Sequence, residues 1–386
     1  MMKKNNFYLP LFLVALFLSL NCTSKDKISF HKRNQKIKVA GGDIYSFSIG
    51  LSALMCQIIS EENDQCQTEA TSGVSENIRR IQERENDFAI VPEYALKKYF
   101  YADKTSYLNL TLRSLLSLGH SSFYIIVPKG TRYKKFDDLD QIGIEQSDTS
   151  GQKIVKILDK SNKIRMLKTE GILKSVEDFC QKHDHALAFM DTAPSFLISF
   201  IKKACPIREI RLSESEMNRV IHQESSFRKV SDILSFKDTQ RKTIERLATR
   251  LIFITHDAIP GDVIKNILSE IQENFFFIKA YHLSLRNLVF IGCFKDMPIP
   301  RHIGVSWFLQ NIAKEIGSSA VPISQYIPQT LDVVATKSQL EKGSLALTSL
   351  EFNNNIVTAT KTQNTLGKSQ TNNNPNPAPK ETETTQ

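Results

Sequence analysis

From Ile37 onward the chain alternates short apolar runs with amphipathic stretches, and that rhythm limits its fold more than any other feature. Apolar runs of four or five residues suit buried strands. The stretches between them carry apolar residues three or four positions apart, which is the spacing of one helix face. Repeated strand–helix units read as parallel sheet with crossover helices. A first series has strands at 37–40, 67–70, 88–91, 112–118 and 123–127. Its helices lie at 47–59, with Leu51, Leu54, Met55, Ile58 and Ile59 on one face, and at 75–84, with Ile78 and Ile81 inward. After Pro128-Lys129-Gly130 a second series has strands at 142–145, 164–167, 186–190 and 207–210, and helices at 151–158, 172–179 and 194–201. A strand at 251–254 and a helix at 261–271 follow. Two series in succession predict two lobes. The chain has 386 residues, enough for two cores. The expected division is 36–124 plus 250–337 for lobe I and 125–249 for lobe II, with crossings near Val127 and Leu251.

The N-terminal stretch sets the expected compartment. Lys3 and Lys4 precede an apolar run over 7–20 that is short for a membrane span. Leu18-Ser19-Leu20-Asn21-Cys22 has the form of a lipobox, so residues 1–22 read as a lipoprotein signal peptide with Cys22 as the acylated residue. An ordinary signal peptide cut near Asn21 and an uncleaved anchor are the alternatives. Residues 23–35 read as a tether. Beyond Ser338 the apolar rhythm stops, and residues 338–386 read as a disordered polar tail, richest in Asn, Thr, Gln and Pro from 352 onward. The net charge of +9 is spread along the chain, and only Lys32, Arg33, Lys36 and Lys38 cluster, so no nucleic-acid partner is expected.

Export permits disulfides. With Cys22 lipidated, Cys56, Cys66, Cys180, Cys205 and Cys293 remain. Cys56 with Cys66, and Cys180 with Cys205, are both feasible pairs across predicted turns or strand–helix units, but spacing leaves connectivity open. No Cys/His spacing reads as a metal site, and His183-Asp184-His185 reads as a polar turn. No Ser/His/Asp, Cys/His or paired-carboxylate spacing supports catalysis, so neither an enzyme nor a cofactor is expected.

Three loops between strand and helix carry the recognition chemistry. The first is Gly41-Gly42-Asp43-Ile44-Tyr45-Ser46, the second Thr71-Ser72-Gly73-Val74-Ser75, the third Gln146-Ser147-Asp148-Thr149-Ser150-Gly151. Glycines allow close backbone approach, Ser75 is positioned as a helix cap, and helix N-termini offer free N–H donors to an anionic group. In open α/β sheets such loops sit at the carboxyl ends of the strands, where ligands bind. The loops lack the Gly-Lys-Ser/Thr of a phosphate loop and the second and third glycines of a dinucleotide fingerprint.

Taken in order, KVAGGDIYSFSIGLSALMCQIISEE and QTEATSGVSENIRRIQERENDFAIVPEYAL resemble the solute-receptor subunit of TAXI-type TRAP transporters. The resemblance continues through Phe136-Asp137-Asp138-Leu139, the Ser147–Gly151 loop, Ala188-Phe189-Met190-Asp191-Thr192-Ala193-Pro194 and Met297–Val305, covering roughly residues 36 to 315. It implies a two-lobe periplasmic-binding-protein fold of type II kind, each lobe a mostly parallel sheet flanked by helices. It implies an exported, lipid-anchored receptor that binds a carboxylate or amino acid and serves a TRAP-type membrane permease. The ligand-binding residues expected from their place in or just past these strand-end loops are Gly41, Gly42, Tyr45, Ser72, Gly73, Ser75, Asn77, Glu93, Ser147, Ser150, Asp191 and Thr192. Asp43 and Glu93 depart from the family pattern and place negative charge beside a pocket that ordinarily receives a carboxylate. Those departures and the polar tail keep a second reading open, a diverged surface lipoprotein with a sensing or host-facing role.

Overall fold

The computed structural model describes residues 36–60, 66–102, 110–233 and 243–316. The expectations for the signal peptide, Cys22, the tether and the polar tail fall outside these residues.

Ten strands form one connected sheet. They are β1 (Ile37–Gly42), β2 (Cys66–Ala70), β3 (Phe88–Pro92), β4 (Leu112–Pro128), β5 (Gln141–Glu145), β6 (Arg165–Thr169), β7 (Ala186–Asp191), β8 (Ile207–Ile210), β9 (Phe227–Ile233) and β10 (Thr243–His256). The order is β2-β1-β3-β10-β4-β7-β5-β6, with β8 on β4 and β9 on β10. At one end β1 lies parallel between β2 and β3. At the other, β5 lies parallel between β6 and β7.

The two parallel ends are joined by two long antiparallel strands. Residues 112–122 of β4 pair with β10, while residues 122–128 pair with β7 and β8. In β10, residues 251–255 pair with β3 and residues 243–249 pair with β9. Each long strand therefore serves both lobes. Where partners change, the β4–β10 register slips between Arg250 and Ile252.

Helices cover both faces. In lobe I these are α1 (Phe47–Ile59), α2 (Val74–Gln82) and α3 (Glu93–Ala102). Lobe II contributes α4 (Thr149–Leu158), α5 (Ile172–Lys182), α6 (Phe196–Ala204) and α7 (Glu214–Gln223), after which α8 (Gly261–Glu273), α9 (Phe275–Tyr281) and α10 (Ile303–Ile316) return to lobe I. One face of lobe I buries Leu51, Met55, Ile58 and Ile59 of α1 against Phe88, Ile90, Phe253, Leu268 and Phe308. Its other face packs Ile78 and Ile81 of α2 and Leu96 of α3 on Ala89, Val91 and Ile252. Lobe II repeats the plan, with Ile154, Val155 and Leu158 of α4 on one face and Val176 and Phe179 of α5 on the other. The architecture is the expected two-lobe α/β fold.

Three departures have physical causes. Residues 112–118 and 123–127 belong to one continuous strand. The polar Gly119-His120-Ser121-Ser122 interrupts the apolar run and imitates a turn, but it lies where β4 passes between the lobes. Helix α2 begins at Val74 with Gly73 as its cap residue, so Ser75 is not the cap. Its hydroxyl instead accepts a bond from the Tyr99 hydroxyl at 2.6 Å. Helix α4 begins at Thr149, capped by Asp148. Both feasible cysteine pairs are formed, Cys56–Cys66 with Cα atoms 5.5 Å apart and Cys180–Cys205 with 5.7 Å, and Cys293 is free and buried. No described helix is long and apolar enough to cross a membrane.

Candidate functional site

The parallel strands of each lobe deliver their loops to the carboxyl edge. In lobe I, β1 ends at Gly42 with φ +87°, a conformation that favours glycine. Asp43 then folds the turn onto α1. Its carboxylate accepts the Tyr45 N–H at 2.8 Å, and its carbonyl accepts the Ser46 hydroxyl at 2.7 Å. Ser46 caps α1 by accepting the Ile49 N–H. Tyr45 is left 43% exposed beside the exposed Ile44. The second loop is tied to the first, since the Thr71 N–H donates to the Gly42 carbonyl at 3.0 Å. The Thr71 hydroxyl donates to the Asn77 side-chain oxygen at 2.5 Å, and Asn77 donates to the Ile90 carbonyl at 3.4 Å.

In lobe II the β5–α4 loop is bound to the end of β6 by the Gln146 N–H and the Thr169 carbonyl, 2.9 Å apart. Ser147 donates to the Glu145 carboxylate at 2.6 Å. Asp148 caps α4 through Gly151 N–H to Oδ1 at 2.8 Å. After β7, Asp191 accepts the Thr192 N–H at 2.8 Å and the Ser195 hydroxyl at 2.5 Å, while Ser195 caps α6.

The two sets of loops meet. A methyl group placed on Gly73 of lobe I would lie 2.5 Å from Ser147 Oγ, 2.8 Å from Ser147 Cβ and 4.0 Å from Glu145 Oε1, all of lobe II. One placed on Gly171, between β6 and α5, would lie 4.0 Å from Asp43 Oδ2 of lobe I. His282, which packs edge-on against Phe47, has Nε2 3.3 Å from the carbonyl of Pro194. Two of these contacts thus bring the strand-end loops of the two lobes together, and the third ties the turn after α9 to the loop after β7.

The contact zone is acidic. Burial raises the Glu145 carboxyl, and the Asp43 charge adds to the effect. Burial pushes Asp148 up to about 7 and Asp191 up to about 6. Among the described residues the Oγ of Ser150, the Oγ1 of Thr192 and the Oδ2 of Asp148 are buried without a hydrogen-bond partner.

The expected binding residues divide in two. Gly42, Tyr45, Ser72, Gly73 and Ser147 lie in the meeting loops, with Ser150, Asp191 and Thr192 just behind in lobe II. Gly41, Ser75, Asn77 and Glu93 are engaged within the fold. A methyl on Gly41 would collide with the Ile49 side chain, and Asn77 is buried between β3 and the Thr71 loop. The Glu93 carboxylate is held by Arg250 at 2.7 Å and Arg228 at 2.8 Å. Sequence reasoning missed Glu145, Gly171 and His282, whose place depends on lobe closure. Among the described residues no group of three His, Cys, Asp or Glu side chains is arranged to hold a metal ion. An open groove of about 640 Å³ along β2 is lined by Lys38, Glu69, Arg80 and Glu85 among others. Its charges neutralise one another, with Lys38–Glu69 at 2.9 Å, Arg80–Glu69 at 2.9 Å and Arg80–Glu76 at 2.6 Å.

A model of the NMT1-like family matches residues 39–312. The chain belongs to the NMT1-like family. The match takes in all the meeting loops and both lobes of the described structure. No curated protein sequence matches. Among solved structures the chain is similar to the substrate-binding protein of an amino acid ABC transporter, with 11% identity, 65% of this chain and 100% of that one covered, and a TM-score of 0.43. It is also similar to the arginine-, lysine-, histidine-binding protein ArtJ from Geobacillus stearothermophilus, with 12% identity, 67% and 98% covered, and a TM-score of 0.41. A third is the GluR0 ligand-binding core from Nostoc punctiforme in complex with L-glutamate, with 15% identity, 64% and 98% covered, and a TM-score of 0.40.

Proposed function

We propose that this chain is an extracytoplasmic solute receptor that captures a small organic anion or amino acid between its lobes and delivers it to a TRAP-type membrane permease, as the TAXI receptors it resembles do. The observation that carries this reading is the meeting of the Gly73 and Ser147 loops. They come from opposite lobes, at the carboxyl ends of β2 and β5, with hydroxyls and helix N-termini around them. That arrangement makes closure sensitive to whatever binds between the lobes. The lobes are assigned as 36–124 plus 250–337 and 125–249. Two disulfides support an oxidising compartment outside the cytoplasm. Cys22 is assigned as the lipid anchor, to be tested by Cys22→Ser, which should release the protein from the membrane fraction. The reading as a whole is tested by native mass spectrometry of protein freshly purified from its host. A retained small molecule, lost on mild denaturation and restoring a more compact scattering profile when added back, is the expected result. Protein that carries no ligand and stays equally compact against a broad solute panel would overturn it.

A further inference from the structure

We propose that the ligand presents a positively charged organic group, an ammonium or guanidinium, to Asp43 of lobe I and Glu145 of lobe II. This inference rests on the receptor reading and narrows it, because it disfavours a simple dicarboxylate. The geometry places each carboxylate against a glycine loop of the opposite lobe. Glu145 Oε1 stands 4.0 Å from a methyl position on Gly73, and Asp43 Oδ2 stands 4.0 Å from one on Gly171. The loops that carry them are locked in place within each lobe, by Thr71 to Gly42 and by Gln146 to Thr169. Closure therefore drives two like charges toward each other, and Asp148 follows within reach of Glu145.

No lysine, arginine or histidine forms an ion pair with Asp43, Glu145, Asp148 or Asp191 among the described residues. Elsewhere some carboxylates, such as Asp138, Asp159 and Glu224, bond only backbone N–H or hydroxyl groups, while others are ion-paired. Glu69, Glu76, Glu85, Glu93, Glu209, Asp232 and Asp257 all have a cationic partner within 4.0 Å. A second observation points the same way. Ser150, in the first turn of α4, and Thr192, just past β7, are 1% and 2% exposed and keep hydroxyl oxygens without partners, and Asp148 keeps Oδ2 without one. The Asp148 oxygen is an acceptor and the two hydroxyls accept as well as donate, so all three can take an N–H donor, and unpaired buried polar atoms are unfavourable unless something pairs with them. A cationic group carrying several N–H donors supplies both the missing charge and the missing bonds. A metal ion suits the site less well, since no three metal-capable side chains converge there among the described residues.

The test is calorimetric titration of the full protein, stripped of any retained ligand, with arginine, lysine, putrescine, glutamate, succinate and calcium chloride. A basic amino acid or diamine should bind best. Asp43→Asn and Glu145→Gln should each weaken that binding by about 10- to 150-fold, the cost of a lost charge-assisted bond. Their unliganded melting temperatures should hold or rise, which separates lost recognition from misfolding. Best binding by glutamate, succinate or calcium overturns the proposal and leaves the receptor reading standing. So does cation binding that both variants leave unchanged. A protein that binds nothing in the panel and carries nothing from its host overturns the receptor reading and this proposal with it.

Discussion

Gly73→Ala should obstruct closure and destabilise the protein by two separable routes. Gly73 has φ +120°, a region that side chains seldom adopt, and it caps α2. Forcing an alanine there costs about 1–3 kcal/mol whether the lobes are open or closed. The second cost exists only in the closed state. The new methyl would sit 2.5 Å from Ser147 Oγ and 2.8 Å from Ser147 Cβ, about 1 Å inside comfortable contact. Because Cβ is fixed by the backbone, turning the hydroxyl away does not relieve it. Overpacking of this size costs roughly 1–3 kcal/mol, equivalent to a 5- to 150-fold loss of ligand affinity. The assay is a double-mutant cycle with Ser147→Gly, reading unliganded melting temperature and affinity for the retained ligand. In wild-type background Gly73→Ala should lower both. In the Ser147→Gly background it should still lower the melting temperature but leave affinity nearly unchanged, because the colliding atoms are gone. Equal loss of affinity in both backgrounds would show that Gly73 acts within lobe I alone, and the closed-lobe contact would be refuted.

Asp148 gives a pH prediction. Burial raises its carboxyl from 3.8 to about 7, against the Gly151 amide that lowers it. A carboxyl raised on folding binds its proton more tightly in the native state, so its stabilising contribution is complete below about pH 4 and is lost as pH rises through about 7. The side chain as a whole is half-buried, so the effect should be modest, on the order of 1 kcal/mol or more. Asp148→Asn keeps a capping oxygen for Gly151 and should flatten the fall in melting temperature between pH 4 and 8; an unchanged slope would refute the assignment. Glu93→Gln breaks a buried ion pair with Arg250 and Arg228 and should cost about 3–5 kcal/mol in chemical denaturation. Loss of ligand affinity without that destabilisation would instead make Glu93 a binding residue. Replacing Cys180 and Cys205 together by serine frees a 25-residue loop. It should cost about 3 kcal/mol, or roughly 6–12 °C in melting temperature, and an unchanged melting curve would show that the bridge contributes nothing.

The lobes were readable because each strand–helix unit is locally consistent. In α1 the residues Leu51, Met55, Ile58 and Ile59 share one face by spacing alone, and all four are buried. What escaped were segments whose signal is polar or whose partner is remote. Helix α7 opens with a capping box, Ser213 to Glu216, which is a local signal. Its flanks lack the apolar rhythm that marks the other helices. Strand β9 has a mixed sequence, FRKVSDI, because it pairs along one edge of β10. The crossing of β4 carries serines and a histidine because it belongs to no single core.

The site was legible to a lesser degree, and the reason is geometric. Loop chemistry such as Gly-Gly-Asp or Thr-Ser-Gly marks strand ends, and those ends do converge. Charge balance in the cleft depends instead on which residues face across it. Asp43 reads as a turn residue and bonds the Tyr45 N–H as one. Glu145 reads as the last residue of a strand. Neither position alone distinguishes a solvated carboxylate from one that meets another across a closing gap. The Glu93 case runs the other way. In the sequence it is a charge at a loop mouth, as Asp43 is, but Arg250 and Arg228 reach it from β10 and β9, more than a hundred residues on. Two acidic residues in equivalent loops thus have opposite electrostatic situations, one neutralised within the fold and one left facing the cleft. A carboxylate without an internal counter-ion persists at a closing interface only if solvent, a proton or a ligand balances it there. At Glu145, whose carboxyl is already raised by burial and raised further by the Asp43 charge, a bound cationic group would supply that balance.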